Sequence, residues 1–320
     1  MTETDGAGVT IAVEDGIAIV TVDNPPVNAI SQAIRQGLLA AMDEVNGNDA
    51  IAGAVIIGAG PVFIAGADVR EFGKPPLPPS LPEVITAIEQ SAKPVVAAIH
   101  GVALGGGLEI ALGCHYRIAA PGARLGLPEV TLGIIPGAGG TQRLPRLVGF
   151  EAALDLITTG RQAGAEEAAE IGLVDAVVEG ELRAEAVQFA RARIGAPLRR
   201  LSTVAAPEPG DADLFATARE AIARRARGQQ SPLRALDALE AATLPFEDGI
   251  GREREIFLEL RGSDQAKALR HAFFAERAVA KLPALEGVRP REVATIGVIG
   301  GGTMGAGIAV ACLRAGLPVT

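Results

Sequence analysis

His100-Gly-Val-Ala-Leu-Gly-Gly-Gly-Leu-Glu-Ile110 decides the reading of this chain. Three consecutive glycines stand in front of an apolar run, the setting for a tight turn that exposes backbone N–H groups at a helix start, where the helix dipole favours negative charge. A second turn of the same kind, Ile64-Ala-Gly-Ala-Asp-Val69, follows an apolar strand, and Gly66 lets the backbone bend sharply there. Two such turns after neighbouring strands can converge on one oxyanion, which needs backbone donors rather than side chains.

Two carboxylates stand out around these turns. Glu109 opens the helix behind the glycines, and Glu129 lies in Leu127-Pro-Glu129, with a β-rich stretch from His115 to Ala119 between them. They cannot share a helix face, but a helix start and a returning loop can point both at one pocket. A single Glu is ordinarily a solvated surface charge. These two sit among Leu108, Ile110, Leu127 and Val130, and burial there would raise a carboxyl pKa toward the range useful for proton transfer. Ile134-Ile-Pro-Gly-Ala-Gly-Gly-Thr-Gln-Arg-Leu144 follows, a glycine turn into a helix that reads equally as an anion site or a simple helix start.

Outward from these motifs the chain reads as an α/β core. Val9 to Val13 and Ile17 to Val22 form a hairpin around Asp15-Gly16. Ser31 to Val45 has helical spacing, with Ile34, Leu38, Met42 and Val45 on one face and Ser31 as N-cap. Ala54 to Ile57 and Pro94 to Ile99 are apolar enough for buried strands in repeated ββα or βαβ units. Gly73 to Pro82 carries five prolines in ten residues and is expected to be a surface loop, either a flap or a plain connector. Ala165 to Arg193 reads as helix, short strand around Val174 to Val178, then helix, with a break at Pro197, Pro207 and Pro209. From Asp211 to Lys281 the pattern is successive amphipathic helices, clearest at Arg252 to Leu260 and Ser263 to Val279, whose Arg and Glu residues are expected to form solvated faces; a linker past Pro283 follows.

Composition narrows the function. Of 320 residues, 48% are apolar and 21% charged, enough for a large core and too apolar for general disorder. Aromatics are only 3%, and a net charge of −9 would repel a phosphate backbone, so nucleic acid is excluded as a partner. Cys114 and Cys312 form no CxxC pair, and Met1 to Gly8 lacks the basic and apolar regions of a signal peptide, which favours a reducing, cytoplasmic location. His100, His115 and His271 are too scattered for a metal site and read as structural. No GxSxG occurs, which argues against a hydrolase. The Arg219 to Arg227 stretch reads as a solvated helix face, although one arginine could meet an anionic phosphate.

The C-terminus carries its own motif. Ala294 to Leu313 is uncharged for twenty residues and contains a GxxxG spacing, so a transmembrane helix competes for it. Gly300 to Gly302 near its middle would each cost a helix about 1 kcal/mol, so strand, glycine turn and helix fit better. Thr295 to Ile299 then serves as the strand, Gly300, Gly302 and Gly305 as a GxGxxG turn, and the helix runs to about Ala315, the order that a dinucleotide pyrophosphate requires. The acidic residue expected about 20 positions on, which would bind the ribose, is absent, and so is any catalytic half. A working dehydrogenase is therefore not expected from these residues alone.

Ala65-Gly-Ala-Asp68, Ala103-Leu-Gly-Gly-Gly-Leu-Glu109, Leu127-Pro-Glu129 and Ile135-Pro-Gly-Ala-Gly-Gly-Thr-Gln-Arg143 together resemble the motifs of the crotonase superfamily, specifically its enoyl-CoA hydratases, over residues 9 to 195. Phe273-Phe-Ala-Glu-Arg277 and Ile296-Gly-Val-Ile-Gly-Gly-Gly-Thr-Met-Gly305 resemble the join to a 3-hydroxyacyl-CoA dehydrogenase domain, as in multifunctional fatty-acid β-oxidation enzymes. The resemblance implies a crotonase-like ββα spiral core over residues 1–195, a helical extension and linker over 196–290, and over 291–320 the first β-α of an incomplete Rossmann domain. On that reading, 320 residues suggest a piece of a longer enzyme.

The same resemblance implies roles. The amides of Ala67 and Gly106 would hold a thioester oxygen, Glu109 would activate water for attack at C3, and Glu129 would deliver the proton to C2. In relatives that move a double bond from the 3 to the 2 position, the residue at the Glu129 position shuttles the proton. Val27, Ala65, Asp68 and Gly137 would line the CoA site. Hydration needs no cofactor, since coenzyme A is part of the acyl-CoA substrate; NAD would serve only a full-length enzyme, which would assemble as a homo-oligomer or with a thiolase partner. The competing functions are an isomerase or other crotonase-type acyl-CoA enzyme, an NAD-dependent dehydrogenase, and a non-catalytic acyl-CoA-binding subunit.

Overall fold

A computed structural model describes residues 8–68, 71, 73–279, 285, 287–289 and 291–320. The polar N-terminus up to Ala7, Val69 at the end of the first glycine turn and Pro283 in the linker lie outside the described residues. The chain forms two compact units, Met1–Phe273 and Phe274–Thr320.

The first unit begins with the expected hairpin. β1 (Val9–Glu14) and β2 (Ile17–Val22) pair antiparallel, joined by Asp15 at φ 50° and Gly16 at φ 78°, the two positive values a type I′ turn demands. α1 (Gln32–Gly47) starts where Ser31 accepts a hydrogen bond from the Ile34 amide, and Ile34, Leu38, Met42 and Val45 are all buried along its inner face. β3 (Gly53–Gly58) then runs parallel to β2.

The proline-rich loop ends two residues earlier than the sequence predicts. α2 (Leu81–Glu89) takes Pro82 into its first turn, where a missing N–H costs nothing, behind a capping box between Ser80 and Glu83.

β4 (Val95–Ile99), β5 (Val102–Leu104), α3 (Gly106–Gly113), β6 (Tyr116–Ala119) and β7 (Arg124–Gly126) form the central repeat. A short 3-10 turn at Pro128–Leu132 leads on to α4 (Gly140–Thr159), which is interrupted at Gly149. β8 (Gln162–Gly164), α5 (Ala165–Glu170), β9 (Ala176–Val177) and α6 (Leu182–Arg191) complete the α/β part. One sheet has the order β1-β2-β3-β4-β6-β9, parallel after its first pair; the second has the order β5-β7-β8.

The parallel strands are apolar throughout because both faces of the large sheet are covered. Ile17, Ile19, Val55, Val96, Ala98 and Ile118 point to α6, where Ala186, Val187 and Ala190 meet them. Ala18, Val20, Ala54, Ile56, Val95 and Ala97 point the other way, into the main core. α3 is wholly buried in that core, and the buried Arg117 guanidinium donates to the Ala111 and Cys114 carbonyls at its C-terminal end.

The helical section contains α7 (Leu214–Ala226), α8 (Ser231–Glu240), α9 (Phe246–Gly262) and α10 (Asp264–Val279). The expectation of solvated charged faces fails at one place: Glu253 of α9 is 1% exposed, because it points inward at the loop before α4 rather than out to water. On α7 the expected face is largely right, with Arg219 bridging Asp237 and Glu240, while Arg225 donates to Thr158.

In the second unit α11 (Thr303–Arg314) follows the glycine turn as expected. Thr295 to Ile299 is not a full strand: it forms a single parallel bridge, Ile296 to Val319, since only Pro318 to Thr320 lie alongside to accept and donate. Among the described residues no helix is long and apolar enough to cross a membrane.

Candidate functional site

Four of the residues singled out in the sequence come together where α3 begins. A parallel bridge between Ile30 and Ala67 uses the Gly66 carbonyl and the Asp68 amide, each bonded to Ile30. In that pattern the N–H of Ala67 itself turns away from Ile30. Gly106, first residue of α3, faces it so closely that a Cβ on Gly106 would lie 3.7 Å from the Ala67 nitrogen. Two backbone donors, one of them at the positive end of a buried helix, thus share a small region.

Glu109 lies in the first turn of α3 and is 3% exposed. Its Oε1 accepts from the Ala138 and Gly140 amides at 2.8 and 2.9 Å. Burial raises its pKa, against the pull of those two amides and of Arg143. Arg143 is itself fixed by a buried ion pair with Glu89 at 2.8 Å and donates to the Ala138 carbonyl.

Glu129 reaches the same place from the 3-10 turn, which Pro128 opens and Gly133 closes at φ 76°. Its Oε1 would be 3.0 Å from a Cβ on Gly105, so the glycine run is a condition for the carboxylate's position. The residue is half-buried, yet its Oε2 is shut off from solvent and has no hydrogen-bond partner. Burial and the nearby charges of Glu109 and Glu253 hold its carboxyl well above the usual range.

A third carboxylate was not expected. Glu253 accepts from the Gly139 amide at 2.7 Å and from the Thr141 amide and hydroxyl at 2.9 and 2.6 Å, and burial with the Glu109 charge pushes it up to about 8. The sequence did hold a signal for it. Ile250, Ile256, Phe257 and Leu260 stand three before and three, four and seven after Glu253, so the carboxylate sits on the apolar stripe of its helix.

The residues expected to line a CoA site divide. Ala65 donates to the Val27 carbonyl at 3.1 Å, Val27 is exposed, and Asp68 is buried beside the Ala67 turn. Gly137 lies elsewhere: it is pressed against the Phe257 ring, which a Cβ would meet at 2.4 Å, and it lines a cavity of about 290 Å³ with Ala138, Gly139, Phe246 and Glu253. Of the remaining candidates, His115 is a core residue, accepting from the Val95 amide and facing the Glu89 carbonyl, and burial pushes its pKa down to about 4. Cys114 is buried and its thiol is pushed up to about 12.

The turn over Gly300, Gly302 and Gly305 is folded closely on itself. Gly300 has φ 96°, and a Cβ on Gly305 would lie 1.8 Å from the Gly300 carbonyl oxygen, so only glycine allows this closeness. Glu292, which precedes the turn, is the one carboxylate among residues 291–320.

A layered spiral of ββα units with backbone donors and paired carboxylates at the start of a buried helix is the fold of the crotonase class, and solved structures agree. Pseudomonas aeruginosa DspI matches with a TM-score of 0.56 and 30% identity over 81% of this chain and 97% of its own. An enoyl-CoA hydratase/isomerase of Pseudoalteromonas atlantica matches with a TM-score of 0.64 and 25% identity over 84% of this chain and 97% of its own. The family model described as enoyl-CoA hydratase/isomerase matches residues 12–207, and the chain belongs to that family. It is 48% identical over 315 residues to the peroxisomal bifunctional enzyme of Danio rerio, covering 96% of this chain and 44% of the relative. It is also 40% identical to a peroxisomal fatty acid beta-oxidation multifunctional protein of Arabidopsis thaliana, over 95% of this chain and 45% of the relative. The chain thus spans about half the length of these curated relatives. Their names place those proteins in the peroxisome, so cysteine usage, which speaks only to a reducing environment, does not by itself establish the cytoplasmic location expected from sequence.

Proposed function

We propose that residues 1–195 catalyse reversible hydration of trans-2-enoyl-CoA to 3-hydroxyacyl-CoA in fatty-acid β-oxidation. The observation that carries this reading is the convergence of the Ala67 and Gly106 amides with the buried Glu109 and the half-buried Glu129, whose Oε2 is shut off from solvent. The two amides hold the thioester oxygen, and each such donor is typically worth about 3 to 4 kcal/mol as charge develops there. Glu109, with Oε1 gripped by Ala138 and Gly140, keeps Oε2 for a water, which it orients and deprotonates for attack at C3. Glu129 delivers its own proton to C2 while the proton taken from water stays on Glu109; its return from Glu109 to Glu129 closes the cycle, and the net change is addition of one water across the C2–C3 double bond. The upward direction of the Glu129 pKa supports the role, since it favours the protonated form that an acid needs.

The partnerless Oε2 of Glu129 also favours a second activity on the same residues, moving a double bond from the 3 to the 2 position by carrying a proton from C2 to C4. Val27, Ala65 and Asp68 line the CoA end in this reading. In a longer enzyme, residues 291–320 would begin the NAD-binding part of a 3-hydroxyacyl-CoA dehydrogenase, with Gly300, Gly302 and Gly305 against the pyrophosphate; NAD would supply the hydride acceptor. Its full-length form would be a homo-oligomer or a partner of a thiolase. A reducing compartment suits the two free cysteines, the cytoplasm or, as in the named relatives, a peroxisome.

The test is an absorbance assay with a series of trans-2-enoyl-CoA and 3-enoyl-CoA substrates. Glu109→Gln and Glu129→Gln are each expected to slow hydration by about 10²- to 10⁴-fold, the usual contribution of a positioned acid or base. Near-normal turnover in either variant overturns the mechanism.

A further inference from the structure

Four consecutive amides at the start of α4 are dealt out alternately to two carboxylates from different parts of the chain. Ala138 and Gly140 donate to Oε1 of Glu109, while Gly139 and Thr141 donate to Oε1 and Oε2 of Glu253. The alternation requires Gly139 at φ 100°, where successive N–H groups turn to opposite sides. Side chains press closely on both glycines. A Cβ on Gly139 would lie 2.0 Å from Arg143 Nη1, and one on Gly140 would lie 2.9 Å from Glu109 Oε1.

We propose that Glu253 is a positioning residue for the hydration reaction: it holds Gly139 and Thr141, thereby fixes the direction of the Ala138 and Gly140 amides, and so sets the orientation of Glu109. The proposal rests on the reading that Glu109 acts on water. Three features support it beyond ordinary packing. Glu253 spends all its hydrogen bonds on this loop, adding the Thr141 hydroxyl at 2.6 Å. The loop presents both of its remaining amides to a single oxygen of Glu109, so a small rotation of the loop moves both. α9 contributes a second restraint through Phe257, which is packed on Gly137 at the loop's other end.

Glu253→Gln keeps the size but turns one acceptor oxygen into a donor, so either the Gly139 or the Thr141 amide loses its acceptor. Thr141→Val leaves both amide contacts to Glu253 and removes the hydroxyl, which donates to Glu253 and also accepts from Gln142 Nε2 at 2.9 Å. Steady-state hydration kinetics and hydrogen–deuterium exchange of the 134–144 segment are measured on the full chain for both variants. Because misplacing a catalytic group by about 1 Å can cost about 100-fold, Glu253→Gln is expected to lower kcat by about 10- to 100-fold with KM within about threefold, and Thr141→Val to lower it by about two- to tenfold. Exchange should speed up in 134–144 and stay unchanged in the β2–β3–β4 sheet.

A folded Glu253→Gln with kcat within about twofold of wild type, or with unchanged exchange in 134–144, overturns the proposal. Should Glu253→Gln fail to fold, Thr141→Val decides: a lower kcat at normal KM supports it, and an unchanged kcat overturns it. A wild-type chain that hydrates no enoyl-CoA would refute the functional reading instead, and the exchange comparison would still report whether Glu253 holds the loop.

Discussion

Glu129 carries the largest electrostatic tension of the site, because nothing donates to its sealed Oε2 while Glu109 and Glu253 stand nearby. A carboxyl whose pKa is raised on folding binds its proton more tightly in the folded than in the unfolded chain. The stability it contributes is therefore fully present below the unfolded value of 4.5 and is lost as pH rises from there toward the raised value. Glu129→Gln imitates the protonated form at every pH. Its urea midpoint should fall less than the wild type's between pH 5 and pH 8, so the variant gains relative stability while losing activity, a trade-off expected where function keeps a strained group in place. Parallel midpoints for the two proteins across that range would contradict the raised pKa. Glu109 and Glu129 were legible in the sequence because each interrupts an apolar stretch beside glycines. Glu253 was not, since Glu247, Arg252, Arg254 and Glu255 surround it in sequence, and those charges concealed a carboxylate on the inner stripe of α9.

At the scale of elements, the spacing of α3 from the 64–67 turn sets how closely the Gly106 and Ala67 amides, the proposed oxyanion donors, approach, and Gly107 sets that spacing. A Cβ there would lie 2.2 Å from the Ile64 carbonyl oxygen, a backbone atom already accepting from Leu104, so neither side can yield cheaply. Gly107→Ala should push α3 outward, separate Gly106 from Ala67, and cost about 1 to 3 kcal/mol of stability as overpacking does, with a fall in kcat/KM. Gly47→Ala at the exposed end of α1, where a Cβ meets nothing within 4 Å, should stay within about 0.5 kcal/mol and keep full activity. Thermal melts and hydration assays on both variants check the pair; equal effects would mean that packing against Ile64 is irrelevant. The hairpin, α1 and the parallel strands could be read from sequence because local signals and burial agree in them. The boundary at Pro82 could not, because a proline that breaks a helix interior is welcome in a first turn, and only the Ser80–Glu83 capping box tells the cases apart. Gly137 shows the same limit from the other side: its motif identified the loop, but only the fold shows Phe257, more than a hundred residues on, pressed against it.

For the whole molecule, the two units offer different groups to a ligand, and they do so unequally. The first unit holds donors and carboxylates in one buried place. Phe274–Thr320 holds a glycine turn shaped for close approach, with Gly300 and Gly305 nearly touching, followed by a helix whose Met304, Ile308, Val310 and Leu313 are all exposed. A dinucleotide draws affinity from more than its pyrophosphate: the ribose hydroxyls need an acidic partner beyond the second strand, and Glu292 lies before the turn instead. A helix N-terminus and three glycines acting alone are weak, so equilibrium dialysis of the 320-residue chain should give a Kd for NAD weaker than about 1 mM, which corresponds to about 4 kcal/mol of binding. Hydration activity should be indifferent to added NAD, because none of the donors or carboxylates of the first unit depends on it. Micromolar NAD binding by this chain would require a ribose contact that its described residues do not offer, and would overturn the assignment of the turn as only the pyrophosphate part of a larger site.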